Sequence, residues 1–395
     1  MKKATEEKIK ELLGKGVEEV IIRENLERKL KSGKKLRIKF GIDPTAPILH
    51  LGHYVIFRKL KEFQDLGHQV IFLIGDFTGL IGDPSGQSQV RKMLTIKELK
   101  ENEKNYLKQT SKALNVQKIE VRHNSEWYDK RDLGFIIEIG SKFTYARLAE
   151  RDDFRKRIEE DKTDISLLEL LYPVLQGYDS LALKADVEIG GTDQKFNLLM
   201  GRKVQRRYHY PEQDIITVPL LKGLDGVRKM SKSYQNYIAI NSSPKEMFGK
   251  IMAIPDELLE HYFELLTDVP LAKLKEELKA GANPRDLKAW LARDIVTQFH
   301  SKAEVAKAEK EFNKVFQKKE KPSKIPEVIL KAGDYNIVEL LSKLKLVSSK
   351  SEARRLVEQG GVKIDDEVVV DWKKKINVKK RTLIQVGKRK FVKIK

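Results

Sequence analysis

The sequence predicts an α/β protein in which a mostly parallel sheet is followed by a helical region and a small, basic α+β module. Short apolar runs alternate with stretches of helical periodicity in the first 220 residues, and glycine-rich loops follow the runs. Residues 243–316 keep a helical pattern that is interrupted at prolines. The last 75 residues contain short alternating segments and a large excess of lysine and arginine.

A turn that contains two histidines follows the first predicted strand. Residues 5–31 predict polar helices with an apolar stripe, residues 36–40 alternate as a strand does, and residues 55–63 have apolar side chains at helical spacing. We therefore expect a helix to begin near His50, where unpaired backbone N–H groups favour an anion. His53 lies on the same face of the first turn, so the turn predicts a phosphate site.

Two further loops follow predicted strands. Residues 69–75 form a continuous apolar run, typical of a strand buried on both faces, and the glycine-rich loop 76–86 comes after it. Residues 185–189 predict a short strand that ends in the loop 190–194. The carboxyl ends of parallel strands lie at one edge of a sheet, and ligands bind there where the strand order reverses. We expect these loops to share one site with the histidine turn.

A lysine-rich loop, residues 222–233, follows another predicted strand and contains Lys229 and Lys232. Taken alone, two histidines could be surface residues, and this loop could be an ordinary solvated loop. No carboxylate or third histidine follows the pair at ligand spacing, so zinc is not favoured. Together the two stretches supply neutral donors and two ammonium groups. Phosphoryl and nucleotidyl transfer need such positioning and charge neutralisation, so the pair predicts this chemistry.

The distribution of charge indicates a polyanionic partner. The chain has a formal charge of +20, and residues 321–395 contain 20 basic and 9 acidic side chains. A lysine- and glutamate-rich surface, as in heat-tolerant proteins, is the alternative. It does not explain why more than half of the net charge lies in this segment. Nucleic-acid binders gain affinity by releasing counterions from phosphates, so we expect a nucleic-acid partner.

The C-terminal segment predicts a separate binding module. Residues 317–326 include four lysines and two prolines and predict a linker. Two helices are then expected, over 336–346 and 349–359, and two hairpins, over 362–370 and 381–395, the second with its turn at Gly387. We expect four parts: a catalytic domain over 1–222, the lysine loop and a helical domain over 223–320, a linker over 321–334, and a module over 335–395.

Composition excludes several functional classes. The chain has no cysteine, which excludes disulfides, thiolate zinc sites and a cysteine nucleophile. No apolar run approaches the roughly 20 residues that a membrane span needs. The charged N-terminus lacks the apolar core of a signal peptide. We therefore expect a soluble, cytoplasmic protein.

Two stretches together resemble a known family. His50-Leu51-Gly52-His53 and Lys229-Met230-Ser231-Lys232-Ser233 resemble the paired signatures of class I aminoacyl-tRNA synthetases, the first with leucine for isoleucine and the second in full. The order of the motifs at 43–46, 79–86, 172–179 and 190–194 is similar to that of bacterial tyrosyl-tRNA synthetases. The basic tail resembles their alpha-L RNA-binding module. The resemblance implies a Rossmann-like catalytic domain, a helical anticodon-recognition domain and this module.

The resemblance also implies a role for individual residues. Those implied to bind tyrosine are Asp83, Tyr172 and Gln176 at its amino group, Asp179 at its hydroxyl, Gln194 near its carboxylate, and Lys39 beside the pocket. Those implied to bind ATP are Gly41, Asp43, Gly52 and Gly191 around the adenosine, Asp193 at the ribose, and Lys232. Those implied to act on the phosphates are Thr45, His50, His53, Lys229, Lys232, Ser233 and Arg91.

The residue types agree with these roles, because an ammonium group needs acceptors such as those of Asp83 and Gln176. A buried Asp179 left unpaired by phenylalanine would be costly, which discriminates between the two amino acids without an editing site. Without the accompanying motifs, residues 172–179 would be interpreted as a helix face that packs inside the domain.

Three positions depart from the pattern of the family. Lys39 stands where many relatives have a tyrosine, Glu188 replaces a common glutamine, and Gln87 replaces a common lysine. Lys39 and Glu188 both fall at predicted strand ends, so we predict that they pair and rebuild one wall of the pocket. Loss of a cation at Gln87 should shift phosphate binding toward Arg91 and the lysine loop.

The implied reaction has two steps and needs no covalent enzyme intermediate. The carboxylate of L-tyrosine attacks the α-phosphorus of Mg²⁺-bound ATP, and a terminal ribose hydroxyl of tRNA(Tyr) then takes the acyl group. A homodimer without a tightly bound cofactor, a metal site or a membrane is expected. The alternatives are another His-x-Gly-His adenylyltransferase, a noncatalytic RNA-binding protein, and a tryptophan-specific relative, which Asp179 and the basic tail disfavour.

Overall fold

The computed structural model of the chain describes residues 5–85, 94–161, 163–316, 325–347, 349–387 and 390–395. Gln87 and Arg91 therefore lie outside the described residues. The chain divides into two compact units, one ending at His300 and one beginning at Ser301. The sheet and most of the expected helical domain fall in the first unit, and the basic module falls in the second.

The first unit is built on a sheet of six strands among the described residues. In sequence order these are β1 (Glu19–Ile21), β2 (Arg37–Ile42), β3 (Gln69–Ile74), β4 (Glu120–His123), β5 (Val187–Gly191) and β6 (Asp214–Val218). Their order in space is β1-β6-β5-β2-β3-β4, and only the pairing of β1 with β6 is antiparallel. The order reverses between β2 and β5, which is where such a sheet binds its ligand. The predicted α/β class with a mostly parallel sheet is confirmed.

The N-terminal segment corrects one expectation. The sequence predicted only helices over 5–31, but β1 lies between α1 (Glu6–Leu12) and α2 (Arg23–Lys31). In β1, Val20 and Ile21 pair with Ile216 and Ile215 of β6. Three residues have no strand pattern of their own, and it is the free edge of β6 that selects the extended conformation.

The helices of the first unit cover both faces of the sheet, and several match the predicted segments. α3 begins directly after His50, as predicted. The helices are α3 (Leu51–Asp65), α4 (Thr78–Ile81), α5 (Ile96–Glu103), α6 (Tyr106–Thr110), α7 (Ser125–Tyr128), α8 (Leu133–Ser141), α9 (Tyr145–Ala149), α10 (Asp152–Glu159), α11 (Leu167–Ala182) and α12 (Lys195–Arg207).

The helical region follows β6 and the lysine loop. It contains α13 (Pro244–Met252), α14 (Leu259–Leu266), α15 (Leu271–Lys279) and α16 (Pro284–Thr297). Ser243 and Asn283 begin α13 and α16 as N-caps, because each side-chain oxygen accepts a backbone N–H of the first turn. The rings of Phe263 and Trp290 pack edge to face between α14 and α16. The predicted helical region is confirmed.

The second unit contains α17 (Lys302–Phe316), α18 (Ile337–Lys343), α19 (Lys350–Glu358) and two small sheets. Both predicted hairpins form, one from β9 (Val362–Ile364) and β10 (Glu367–Val369), the other from β12 (Leu383–Val386) and β13 (Lys390–Ile394). Gly387 has a φ of 60°, which suits glycine in the turn after β12. No helix of the described residues is long and apolar enough to cross a membrane.

Two strands of the second unit lie in residues that the sequence placed largely in a linker. β7 (Glu327–Val328) pairs in parallel with β13, and β8 (Gly333–Asn336) pairs antiparallel with β11 (Lys375–Val378). Both partners come from the end of the chain, so local composition could not predict the pairing. The linker expected over 321–334 is therefore too long, because its C-terminal part belongs to the folded module.

Candidate active site

One cleft of about 680 Å³ opens at the carboxyl ends of β2 and β5. Every candidate site residue predicted from the sequence lines it, apart from Arg91, which is outside the described residues. The lining includes Lys39, Gly41, Asp43, Thr45, His50, Gly52, His53, Asp83, Tyr172, Gln176, Asp179, Gly191, Asp193, Gln194, Lys229, Lys232 and Ser233. The strand-end loops therefore meet as the parallel sheet requires.

The two histidines lie at the start of α3. His50 is the N-cap, and its backbone N–H donates to Nδ1 of His53 over 3.2 Å. Their ring centroids are 3.9 Å apart, and Nδ1 of buried His50 has no hydrogen-bond partner among the described residues. A Cβ on Gly52 would lie 3.0 Å from the His50 ring, so glycine leaves room for this pair of tilted rings.

Burial and the nearby lysines keep both imidazoles neutral. Burial lowers the pKa of His53 to about 3, and the charge of Lys232 acts in the same direction. Burial likewise holds the pKa of His50 well below its usual value, with further contributions from His53, Lys232 and Lys229. A neutral imidazole can donate an N–H to a phosphate while the positive charge comes from the lysines.

The lysine loop is a short antiparallel hairpin. Gly223 N–H donates to Arg228 O over 2.8 Å, and Met230 N–H donates to Leu221 O over 2.7 Å. Nζ of Lys229 lies 2.5 Å from Oδ2 of Asp193, which follows β5. This ion pair joins the hairpin to the loop after the strand.

The segment that follows the hairpin is paired with the histidine turn. Leu51 N–H donates to Ile238 O, and Ile240 N–H donates to Leu49 O, each over 3.0 Å. These bonds place the start of α3 beside the lysine hairpin. The two sequence signatures, 176 positions apart from His53 to Lys229, therefore form one structural unit.

Asn236 is a residue of this unit that sequence reasoning missed. Its side-chain oxygen accepts from Ser231 N–H over 2.8 Å, and its Nδ2 donates to Lys229 O over 3.1 Å and to Asp225 Oδ2 over 2.9 Å. The side chain is buried. One amide thus fixes the backbone on both sides of Met230. The sequence did contain one signal for this role, because an asparagine that follows a glycine-containing loop is a common turn residue.

One face of α11 supplies the other end of the cleft, because Tyr172, Gln176 and Asp179 follow helical spacing. The hydroxyl of Tyr172 donates to Oδ2 of Asp43 over 2.9 Å, and Thr78 donates to Oδ1 over 2.8 Å. Burial raises the pKa of Asp43 to about 7. Asp43 therefore contacts the side chain of Tyr172, a connection that the sequence did not indicate.

Asp83 is held in a polar cluster at the same end. Nε2 of Gln194 donates to Oδ2 of Asp83 over 2.6 Å, and the N–H and hydroxyl of Ser85 donate to Oδ1 over 2.9 and 2.7 Å. Buried Asn197 donates to Gln194 and to Ser85 over 3.1 and 3.2 Å. Asn197 is a second missed residue, since it falls on a helix that carried no motif.

Asp179 lies at the buried end of the α11 face. Its Oδ1 accepts from Trp127 Nε1 over 3.0 Å, and its Oδ2 accepts from Asn124 Nδ2 over 3.3 Å. Burial raises the pKa of Asp179 to about 7, and the charge of Lys39 opposes that rise. Trp127 and Asn124 were also missed, because they are about 50 residues away in sequence and carry no pattern.

The predicted pairing of Lys39 with Glu188 is present. The two residues are register partners on β2 and β5, and Nζ of Lys39 lies 2.8 Å from Oε1 of Glu188. Both side chains are buried, with exposed fractions of 0% and 2%. Nζ also donates to Gln176 O over 3.1 Å and to Ser180 Oγ over 2.8 Å.

The cleft is therefore electrically polarised. Lys229 and Lys232 lie at the end formed by the hairpin and the histidine turn, while Asp83 and Asp179 lie at the end formed by α11 and the loop after α4. The first end suits a polyphosphate, and the second suits a ligand with an ammonium group and a hydrogen-bond donor. The arrangement can bring a carboxylate against an activated phosphate.

Comparison with known proteins gives two family matches. Residues 31–317 match the model described as tRNA synthetases class I (W and Y). Residues 317–394 match the model described as the tyrosine–tRNA ligase SYY-like C-terminal domain. The two matches together cover nearly the whole chain.

Curated relatives and solved structures agree with these matches. The chain is 49% identical to a tyrosine–tRNA ligase of Thermotoga maritima over 98% of this chain and 97% of that protein. It is 50% identical to one of Francisella tularensis, with 97% of each chain covered. A tyrosyl-tRNA synthetase from Archaeoglobus fulgidus, solved with L-tyrosine, shares the fold at 23% identity, with a TM-score of 0.63 and coverage of 76% of this chain and 98% of that one.

Proposed function

The chain belongs to the class I tRNA synthetases of the tryptophan and tyrosine group, and from that premise we propose how its cleft divides the reaction. Its activity is tyrosine–tRNA ligation, in which ATP activates tyrosine to tyrosyl-adenylate and tyrosine then passes to the 3′ end of tRNA. The observation that carries the assignment of residues is the convergence of both signatures and the α11 face on one cleft.

The α11 end of the cleft binds tyrosine in this proposal. Asp83, Tyr172 and Gln176 accept from the ammonium group, and Asp179 accepts from the phenolic hydroxyl. Support comes from the backing of Asp179 by Trp127 and Asn124, which holds its carboxylate in one orientation. Phenylalanine would leave this buried acceptor without a donor, which disfavours its binding.

Gln194 lies near the carboxylate of tyrosine and orients it for attack. Support comes from its hydrogen bond to Asp83, which links the residue proposed at the carboxylate to one proposed at the ammonium group. The two charged groups of the zwitterion are only a few bonds apart, so linked binding residues suit it.

The hairpin end of the cleft binds ATP. Gly41, Asp43, Gly52 and Gly191 frame the adenosine, and Asp193 binds the ribose with the oxygen that Lys229 does not occupy. ATP enters with its Mg²⁺ as the substrate complex. Close packing around Gly191 supports this assignment, because a Cβ there would lie 2.7 Å from Oδ1 of Asp193.

Adenylation is an in-line displacement at the α-phosphorus. The tyrosine carboxylate forms a bond to the α-phosphorus, and the bond to the leaving pyrophosphate breaks. Thr45, His50 and His53 donate to phosphate oxygens, while Lys229, Lys232 and Ser233, with Arg91, neutralise the charge that moves onto pyrophosphate. Because His50 and His53 are neutral, they add no positive charge that would stabilise the bound triphosphate before the reaction.

The second unit binds tRNA(Tyr) in the cytoplasm, where tRNA and ATP are both present. Support comes from its 20 basic side chains over residues 321–395 and from the match to a C-terminal domain of tyrosine–tRNA ligases. Phosphate contacts of this kind make affinity depend on salt.

We also propose that the first unit pairs with a second copy of the chain. α8, α9 and the start of α11 expose large apolar side chains, among them Leu133, Ile137, Tyr145 and Leu167, which are 64–73% exposed. Exposed apolar side chains that form one patch mark an interaction surface. A symmetric contact between two such faces would bury it.

ATP–pyrophosphate exchange with each of the twenty amino acids, with and without tRNA, tests the assignment. We expect exchange with tyrosine and not with phenylalanine or tryptophan. Exchange with tryptophan would contradict the role of Asp179. RNA binding without any exchange would favour the noncatalytic alternative, and exchange that needs no amino acid would favour another adenylyltransferase.

A further inference from the structure

We propose that Lys39 determines tyrosine specificity without touching the substrate, by fixing the turn of α11 that carries Asp179 and by directing its buried positive charge at that carboxylate. The proposal rests on the role of Asp179 given above. It makes Lys39 a positioning residue rather than a ligand of the tyrosine hydroxyl, although Lys39 lines the cleft.

The hydrogen bonds of Lys39 exclude a direct contact. An ammonium group has three N–H donors and no acceptor. Nζ donates to Glu188 Oε1 over 2.8 Å, to Ser180 Oγ over 2.8 Å and to Gln176 O over 3.1 Å. All three donors are therefore used within the protein. A substrate hydroxyl could gain a bond only by breaking one of these.

The three bonds join the sheet to the turn of α11 that carries Asp179. Gln176 O and Ser180 Oγ lie on either side of Asp179 in the sequence, and Glu188 is on the adjacent strand β5. Moving this turn would move the carboxylate that receives the substrate hydroxyl. Lys39 therefore fixes both the position and the rotation of α11 at the end of the cleft where Asp179 receives the substrate hydroxyl.

The ion pair is fully satisfied within its own network. Ser180 Oγ donates to Glu188 Oε2 over 2.8 Å, and Nε2 of buried Gln213 donates to the same oxygen. Gly201 leaves space for this network, since a Cβ there would lie 2.5 Å from Gln213 Nε2 and 3.2 Å from Glu188 Oε2. Such hydrogen bonds offset the cost of removing the two partners from water.

The charge of Lys39 also acts on Asp179 directly. It opposes the effect of burial, which has raised the pKa of Asp179 to about 7. Three other titratable groups that interact with Asp179 are Asp43 in the loop after β2, Tyr128 of α7 and Tyr172 of α11, and none of them is a cation. Removing the cation should therefore raise the pKa of Asp179 further, so that a smaller fraction of it is ionised at neutral pH.

The experiment measures tyrosine-dependent ATP–pyrophosphate exchange from pH 6 to pH 9 for the parent protein, two variants of the ion pair and one control variant. In Lys39→Met/Glu188→Gln both charges are gone, and Gln213 and Ser180 keep a polar partner. We expect the midpoint of the kcat/KM profile for tyrosine to rise by about one pH unit, since a nearby opposite charge shifts a pKa by this order. At pH 7 the ionised fraction of Asp179 should fall about fivefold, because its pKa of about 7 would rise by about one unit. The KM for tyrosine should rise by the same factor with kcat little changed, and selectivity over phenylalanine should fall.

Glu188→Gln alone is the second variant, and its expected effect has the opposite sign. Lys39 keeps its charge and loses its anionic partner, so its field at Asp179 is stronger. The midpoint should therefore stay or move to lower pH. A midpoint that rises in this variant would overturn the proposal even if the double variant does not fold.

Lys59→Met is the matched control. Lys59 is also buried, 2% exposed, and donates to Leu12 O over 2.8 Å and to Glu62. Its loss should reduce stability without moving the midpoint or the selectivity. A double variant that behaves in the same way would show a structural role only and would overturn the proposal. A parent protein that shows no exchange with tyrosine would instead contradict the proposed function.

Discussion

Replacing Asn236 with alanine should release the lysine hairpin while leaving the tyrosine end of the cleft intact. The substitution removes the three hydrogen bonds that the amide makes to Ser231, Lys229 and Asp225. Each hydrogen bond contributes about 1 kcal/mol net, and a bond to a carboxylate contributes more. The hairpin conformation seen in the structure should therefore be destabilised by about 3 kcal/mol relative to open conformations of the hairpin.

This loss sets the expected kinetic effect. Since every 1.4 kcal/mol is about a tenfold change in an equilibrium, the fraction of molecules with Lys229 in place should fall by up to about 100-fold. The single-turnover rate of tyrosyl-adenylate formation should fall with it, and the dissociation constant for tyrosine should stay within about twofold. Rapid quench for the rate and equilibrium titration for tyrosine measure the two quantities separately.

Two further variants test whether loss of the Asn236 amide is the cause of the slower adenylation. Asn236→Asp keeps an oxygen for Ser231 N–H but places a carboxylate against Lys229 O and Asp225, so it should be at least as slow. Gly223→Ala introduces a Cβ 2.1 Å from Asn236 Nδ2 and should displace the same side chain. An adenylation rate for Asn236→Ala close to that of the parent protein would refute the reasoning, because the amide would then not hold the hairpin.

Four further predictions concern separate parts of the molecule. Lys232→Ala should lower the adenylation rate while leaving tyrosine binding nearly intact; lost tyrosine affinity at an unchanged rate would contradict its role. His53→Asn should gain stability relative to the parent as pH falls from 6.5 to 5. The reason is that the histidine of the unfolded parent takes up a proton, whereas the buried histidine, with its pKa lowered to about 3, does not. In denaturant titration at pH 5, this proton uptake should reduce the free energy of unfolding of the parent, relative to that of the variant, by about 2 kcal/mol. Gly201→Ala should cost about 2 kcal/mol by overpacking the Gln213 network, whereas Gly249→Ala, with no atom within 4 Å of the new Cβ, should be neutral or slightly stabilising in thermal unfolding. Ile137→Glu should convert a dimer into a monomer in sedimentation velocity with little change in thermal stability, and an unchanged sedimentation coefficient would place the contact elsewhere.

The motifs were predictable because they depend on short spacings. The start of α3 at His50, the three loops at strand ends and the spacing of Tyr172, Gln176 and Asp179 follow from local periodicity and from the rule that parallel strands end at one edge. The pairing of Lys39 with Glu188 was also predictable, since both were charged residues in strands that had to lie close together. Local pattern and one topological rule were sufficient to place these features, whereas the resemblance to the family singled out residues 172–179 and the pair Lys39 and Glu188 as parts of a site.

The residues that were missed act at a distance in sequence. Asn124 and Trp127 hold Asp179, and Asn197 supports the cluster at Asp83. None of them lies in a pattern that distinguishes it from a surface or core residue. Their partners were known only after α7, α11 and α12 had been placed against the sheet.

The sequence by itself determined the α/β class, the two signatures and the basic C-terminal module, because strand and helix periodicity, turn composition and net charge are properties of neighbouring residues. Only the tertiary structure decided the edge strand β1, the strands β7 and β8, and the acceptors on α11 that bind Lys39. A short strand takes its conformation from its partner. A buried ammonium group takes its role from the acceptors that surround it, and for Lys39 these lie on α11 and β5, about 140 residues away in the chain.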